Sequence, residues 1–119
     1  MDEKEFKDRT KRFAIRVIHL IEALPRTRTA DVIGRQLLRS ATSVGANYRA
    51  ACRAKSPADM LNKLGTVEEE CDETIYWIEL LIEAEIFSKE RLSSLVEEAN
   101  EILAMVVASK KTLRNKTIQ

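Results

Sequence analysis

The sequence has few of the residues that form turns, crosslinks or catalytic centres. Its 119 residues include three glycines, two prolines, two cysteines and one histidine. So little glycine and proline excludes an all-β chain, which needs many turns. The two cysteines form no CxxC motif and are too few for a disulfide framework, so we expect them to be small apolar residues in a reducing cytoplasm.

Long apolar runs and the features of a secretory signal are also missing. No run approaches the roughly 18 uninterrupted apolar residues of a membrane span. The N-terminal sequence, MDEKEFKDRTKRF, is charged from its second residue, which is not typical of a signal peptide. We therefore expect residues 1–119 to form a single domain that is soluble and cytoplasmic, with no membrane partner.

Catalytic motifs are absent from the sequence. It contains no GxGxxG, Walker A or GxSxG motif. His19 lies between apolar neighbours without an obvious nucleophile, which favours a packed or rim histidine over a general base. A di-metal helical bundle needs Glu-x-x-His motifs on two helices, and the chain has none. We expect a protein that is not an enzyme, with no catalytic residue, metal or cofactor.

Helical periodicity is what the sequence does have. Hydrophobic residues make up 45% and charged residues 33% of the chain, a mixture typical of amphipathic helices. Apolar residues recur at helical spacing over residues 3–23, 29–54, 57–84 and 89–111, and we expect residues 112–119 to form a frayed tail. Thr29, Ser56 and Ser88 are plausible N-caps, and Pro25 ends the first helix. Because the connections are short, the predicted fold class is all-α, an antiparallel up-down-up-down four-helix bundle.

Two pairs of residues are predicted to lie level in the hairpin of the second and third helices. Gly45 would lie level with Gly65 and allow a close backbone crossing between these two helices. Gly34 would lie level with Trp77 and leave space for its indole. The alternative is that these glycines lie on the surface, where each costs about 1 kcal/mol relative to alanine.

Polar residues accompany the core positions of the second helix. Ser40, Ser43 and Asn47 form a polar line at i, i+3 and i+7 beside its core positions, and we expect Ser43 and Asn47 to be partly buried structural polar groups. An interior Asn can fix the register of a bundle through a hydrogen bond between helices. The alternative is that both side chains face water.

Charge is divided sharply along the chain, although the net charge is only +1. Residues 26–55 carry seven basic side chains against Asp31 alone, a net charge of +6, and residues 56–87 carry nine acidic side chains against Lys63, a net charge of −8. Helical spacing places four arginines on one stripe of the second helix: Arg35, Arg39, Arg49 and Arg53. The third helix carries an acidic stripe around Tyr76: Glu69, Glu73, Glu79 and Glu83.

Three interpretations of these stripes remain open. They are solvated faces with weak ion pairs between the second and third helices, or the basic stripe of one copy meets the acidic stripe of another in a head-to-tail contact that closes a ring. In the third interpretation the arginines bind nucleic-acid phosphates. The sequence pI of about 7.8 and the acidic stripe count against the third.

Two segments resemble the bacterial 23S rRNA intervening-sequence proteins, a family also called four-helix-bundle proteins. They are LLRSATSVGANYRAACRAKS and KLGTVEEECDETIYWIELL, within residues 29–85. The most specific features are the Ser43-x-x-x-Asn47 spacing, the Arg-Ala-Lys-Ser turn at Arg53 and the acidic run EEECDE that includes Glu69. Many members carry Glu three residues after the Asn, where this chain has Ala50.

The resemblance implies an antiparallel four-helix bundle that forms a homo-oligomer. Members are similar to the ring-forming accessory protein of diversity-generating retroelements, which implies a pentameric ring and a partner that is RNA or a nucleic-acid-handling protein. We therefore expect a non-enzymatic interaction or scaffold module that associates with itself through the basic face of the second helix and the acidic face of the third. The alternative is an RNA-binding accessory protein that uses the arginine stripe. A small-molecule enzyme with a deep polar pocket at a bundle end is the least supported class.

Overall fold

The computed structural model describes residues 2–118, and within them the chain forms four α-helices and no strand. They are α1 (Glu3–Ala23), α2 (Arg28–Cys52), α3 (Pro57–Glu83) and α4 (Lys89–Ile118). Each helix packs against the next one in the chain, and α1 also packs against α4. The molecule measures 51 × 22 × 21 Å, as expected when helices about 40 Å long pack side by side along one axis. The predicted antiparallel four-helix bundle is confirmed.

Side-chain caps begin all four helices, and in α4 the predicted cap Ser88 accepts from the backbone N–H of Arg91 at 3.3 Å. Asp2 accepts a hydrogen bond from the backbone N–H of Glu5, and Ser56 accepts one from Asp59. The cap of α2 is Thr27, which accepts from the N–H of Ala30 at 3.2 Å, so the helix begins earlier than a Thr29 cap would allow. Capping stabilises a helix by about 1 kcal/mol because the first N–H groups have no partner in the helix itself.

The last helix is longer than the sequence predicts. α4 continues to Ile118, so the predicted end at residue 111 and the frayed tail are wrong for residues 112–118, while Gln119 lies outside the described residues. The first turns of α3 explain the extension, because Met60 and Leu64 line the same shallow groove as Leu113. Lys110 of α4 also pairs with Glu68 of α3 at 2.8 Å. The end of α4 therefore has a neighbour to pack against.

The core receives side chains from all four helices. Phe13, Leu37, Ile78 and Ile102, one from each helix, are completely or almost completely buried. They belong to a single cluster of buried apolar residues that runs the length of the bundle. Burial of each such side chain contributes about 2–3 kcal/mol, so the amphipathic pattern is the main source of stability.

The glycines of α2 pack against α1, and the predicted pairings with α3 are wrong. A Cβ at Gly45 would lie 3.2 Å from Oγ1 of Thr10, and one at Gly34 would lie 3.1 Å from Cδ1 of Leu24. A Cβ at Gly65 would meet only the tip of Lys110, at 3.8 Å. Gly45 therefore allows a close helix crossing, but with α1 as the partner.

Two hydroxyl groups are buried between α2 and α3. Thr74 Oγ1 lies 2.9 Å from Ser40 Oγ and donates to it or to the carbonyl oxygen of Glu70 at 2.8 Å. Ser40 in turn donates to the carbonyl oxygen of Leu37. Both side chains are completely buried, so this hydrogen bond joins the two helices inside the core.

Candidate interaction surfaces

Arg39 of the predicted basic stripe is bound within its own chain. Its guanidinium donates to Glu73 and, at 3.1 Å, to Glu70. The indole N–H of Trp77 also donates to Glu73, at 3.2 Å. The hydrogen bond to Glu73 and the charge of Glu70 raise the pKa of Arg39. For Arg39 and Glu73, therefore, the ion pair between α2 and α3 is the arrangement that the structure adopts.

The other three arginines of the stripe remain at the surface. Arg35 pairs with Asp31 one turn earlier in α2, at 3.1 Å, and both side chains are well exposed. Arg49 and Arg53 are exposed and have no ion pair within residues 2–118. The four arginines thus divide into one that is bound to α3, one that is paired within its helix, and two whose charges are not neutralised.

The acidic stripe of α3 is mostly free of cations. Glu69, Glu79 and Glu83 are exposed and make no ion pair in the described part of the chain. Tyr76 lies among them with 53% of its surface exposed. Its ring packs edge-on against Trp77, with ring centroids 5.1 Å apart. This face of α3 therefore presents an aromatic ring surrounded by carboxylates.

A groove between α1 and α2 is basic at its rim, and we call it the basic groove. It has a volume of about 410 Å³. Its floor consists of small or short side chains, namely Thr10, Ala14, Thr42, Gly45 and Ala46. Its charged residues are three cations and one acid: Lys7, Lys11, Arg49 and Asp8. Arg49 thus belongs to a site that includes α1. The two lysines of this site lie outside the predicted basic stripe.

Ser43 and Asn47 are both half-buried. The side-chain amide of Asn47 donates to the carbonyl oxygen of Ser43 at 2.8 Å, within α2 itself. The hydrogen bond between helices that was predicted for Asn47 is thus replaced by one within its own helix, and Ser40 and Thr74 join α2 to α3. Thr74 lies between Cys71 and Ile78 on the apolar line of α3, and this position in the sequence is the signal that could have identified it.

An ion pair between α1 and α4 was not predicted from the sequence. Arg9 of α1 donates from Nε and Nη2 to the carboxylate of Glu98 in α4, at 2.7 and 2.8 Å. The same guanidinium contacts Glu101 at 3.2 Å and the sulfur of Met105. Hydrogen bonding from Arg9 lowers the pKa of Glu98. The signal in the sequence is that Arg9 lies between Phe6 and Phe13 on the buried side of α1.

The remaining titratable groups offer little chemistry. Burial raises the pKa of Cys71 to about 12 and also raises that of Cys52, so neither thiol favours its reactive thiolate form. His19 is exposed on α1. Among residues 2–118, no three His, Cys, Asp or Glu side chains are grouped so that they could hold a metal ion, and no helix is long and apolar enough to cross a membrane.

Comparison with known proteins agrees with this architecture. The structure is similar to the crystal structure, at 1.70 Å resolution, of a protein of unknown function from the S23 ribosomal protein family of Bacteroides thetaiotaomicron. The TM-score is 0.86 at 38% sequence identity, over 93% of this chain and 99% of that one. No curated protein matches the sequence. Residues 3–108 match the family described as 23S rRNA-intervening sequence protein, and with that match over most of its length the chain belongs to this family.

Proposed function

We propose that the protein is a non-enzymatic interaction module that assembles with copies of itself. In this assembly the basic face of α2 in one copy contacts the acidic face of α3 in the next. The proposal is carried by one observation: exposed charges of opposite sign, without ion-pair partners among residues 2–118, lie on these two helices. They are Arg49 and Arg53 on α2 and Glu69, Glu79 and Glu83 on α3.

A contact between different faces of identical copies repeats from copy to copy. It closes into a ring when the rotation between neighbours divides a full turn, and otherwise it forms a filament. We propose a ring of five, the number implied by the resemblance to the ring-forming retroelement accessory protein. The contact contains exposed charges, so added salt weakens it.

Native mass spectrometry at micromolar concentration tests the assembly. We expect the wild type to form a closed oligomer and the double variant Arg49→Glu/Arg53→Glu to be monomeric. Lys111→Glu/Arg114→Glu, on the exposed surface of α4, is the matched control because it also reverses two charges but lies outside the proposed contact. Arg39 is not suitable for this test, since its substitution also removes the ion pairs with Glu70 and Glu73.

A charge exchange distinguishes a specific contact from a general effect of charge. Glu79→Arg/Glu83→Arg should also be monomeric alone, but when mixed with Arg49→Glu/Arg53→Glu it should form heterodimers and larger assemblies with even numbers of copies, because alternating variants cannot close a ring of five. A monomeric wild type, or assembly that neither double variant weakens, contradicts the proposal.

RNA binding is the second candidate function, and the basic groove favours it because Lys7 and Lys11 add to the charge of Arg49. Titration of an RNA hairpin over a salt series tests it. If the arginines contact phosphates, Arg49→Glu/Arg53→Glu should weaken binding and make the slope of log K against log salt shallower by about one to two. Absence of binding at low salt, or binding that the variant leaves unchanged, excludes this function.

A further inference from the structure

The basic groove can accept a side chain, and the exposed tyrosine of α3 is surrounded by charges of the opposite sign. We infer that Tyr76 of one copy inserts into the basic groove of a second copy, an inference that rests on the proposed self-association. The groove between α1 and α2 is then the receiving site, and the ring of Tyr76 is the anchor. The α2 face is thereby only half of the receiving surface, because Lys7 and Lys11 of α1 form the other wall.

The groove can receive a side chain because its floor is short. Gly45 has no side chain and packs closely on Thr10, which is completely buried. Ala14 and Ala46 extend this floor on either side. The resulting volume of about 410 Å³ exceeds that of a tyrosine side chain, so the groove can take the ring while the helix that carries it stays outside.

Tyr76 has the properties of an anchor. More than half of its surface is exposed. Tyrosine is one of the residue types that contribute most to binding energy at protein interfaces. The edge-on contact with Trp77 restricts the ring before binding, so little conformational entropy is lost. Insertion of the ring would remove this apolar surface from water.

Charge complementarity identifies the occupant as the α3 face of a second copy. Carboxylates surround Tyr76 at helical spacing: Glu69, Asp72, Glu79 and Glu83. The groove is lined by Lys7, Lys11 and Arg49 against Asp8, and Lys7 also pairs with Glu3 at 2.9 Å, so Lys11 and Arg49 carry its unpaired positive charge. An acidic helix with a central aromatic side chain therefore matches a basic groove with a short floor, and opposite charges across the contact also steer the encounter.

The occupant comes from another copy for a geometric reason. In residues 2–118, α3 packs against α2 and α4 and makes no packing contact with α1. The outward face of α3 is thus turned away from the groove between α1 and α2 of the same chain. The contact is heterologous, since groove and anchor are different surfaces, and it repeats around a ring.

Disulfide trapping tests the pairing directly. In a Cys52→Ser background, in which the remaining Cys71 is completely buried, two single variants are made: Ala46→Cys in the groove and Asp72→Cys on α3, an exposed position one turn before Tyr76 that leaves the anchor in place. On mild oxidation of their mixture we expect a crosslinked dimer that contains one of each variant. The control mixture pairs Ala46→Cys with Val107→Cys, an exposed position on α4, and should give no such dimer.

Substitution of the anchor supplies a second readout. We expect Tyr76→Ala to weaken assembly at least tenfold and Tyr76→Phe to retain it, with unchanged helical circular dichroism in both because the side chain is exposed. If native mass spectrometry shows an oligomer but Ala46→Cys and Asp72→Cys fail to crosslink, or Tyr76→Ala assembles normally, the inference is overturned while the proposed self-association stands. If the wild type is monomeric, both fail together.

Discussion

Arg9 donates two parallel hydrogen bonds to the carboxylate of Glu98, which lies 89 residues later in the chain. The side chains are only 23% and 20% exposed, so water screens this pair far less than the exposed pair of Arg35 and Asp31. Two parallel bonds fix both the distance and the orientation of the groups. The pair therefore joins α1 to α4 in a defined register.

Removal of the guanidinium should destabilise the bundle measurably. Arg9→Met leaves Glu98 partly buried without its main partner, and we expect a loss of about 1–3 kcal/mol in the free energy of unfolding. Urea denaturation followed by circular dichroism measures it. Arg35→Met is the matched control, because Arg35 and Asp31 are mostly exposed and their pair should contribute less than about 1 kcal/mol. Equal losses in the two variants would contradict the structural role assigned to Arg9.

The pH dependence of stability should change when Glu98 is made neutral. Because Arg9 lowers the folded-state pKa of Glu98, its stabilisation is complete above the unfolded pKa of about 4.3 and is lost as the pH falls through the folded value. Glu98→Gln should thus be less stable than the wild type at pH 7, and the difference should shrink at pH 3. Urea titrations at several pH values between 3 and 7 measure it. A difference that stays constant over this range would show that the ion pair is not its source.

Two glycine substitutions should have different effects although both residues lie inside helices. Gly65→Ala should stabilise the protein by up to about 1 kcal/mol, since alanine favours helix and the new Cβ meets only the flexible end of Lys110. In Gly45→Ala the same gain should be cancelled, because the Cβ would lie 3.2 Å from the buried Thr10. Thermal and urea unfolding of both variants measure the difference. Stabilisation of equal size would mean that α1 and α2 do not cross closely at Gly45.

The hydrogen bond between Ser40 and Thr74 should appear as a coupling energy. Ser40→Ala and Thr74→Val each remove this buried hydrogen bond and should each cost about 1 kcal/mol, while the remaining hydroxyl keeps its backbone carbonyl acceptor. The double variant should cost less than the sum by about 1 kcal/mol. A double-mutant cycle in urea measures this coupling, and strict additivity would rule the bond out as a link between α2 and α3.

The fold follows from the sequence because helical period, caps and short connections all act locally. The sequence determines less well which neighbouring helix a given residue faces. The hairpin rule placed Gly45 level with Gly65 in α3, but α2 touches α1 as well, and a glycine at a given height can face either neighbour. The end of α4 was misplaced for a related reason, since its polar composition predicts fraying while α3 supplies a packing partner.

The surfaces are less predictable than the helices. The two charged stripes were visible as spacing, but spacing does not reveal that Arg39 reaches Glu70 and Glu73 in its own chain while Arg49 does not. The basic groove needs Lys7 and Lys11 of α1 beside α2, and their position depends on how far α1 is rotated about its axis. Arg9 was overlooked because a cation on an apolar face has no visible partner until α4 is placed beside it.

The adjacency of α1 and α4 has a consequence for how the protein folds. The other interfaces join helices that follow one another in the chain, whereas side-chain contacts across this one join residues 78 to 96 positions apart. Closing so long a loop costs conformational entropy before the contacts form, so we expect this interface to complete after the folding transition state. Substitutions there, such as Arg9→Met, should then accelerate unfolding and leave the folding rate nearly unchanged.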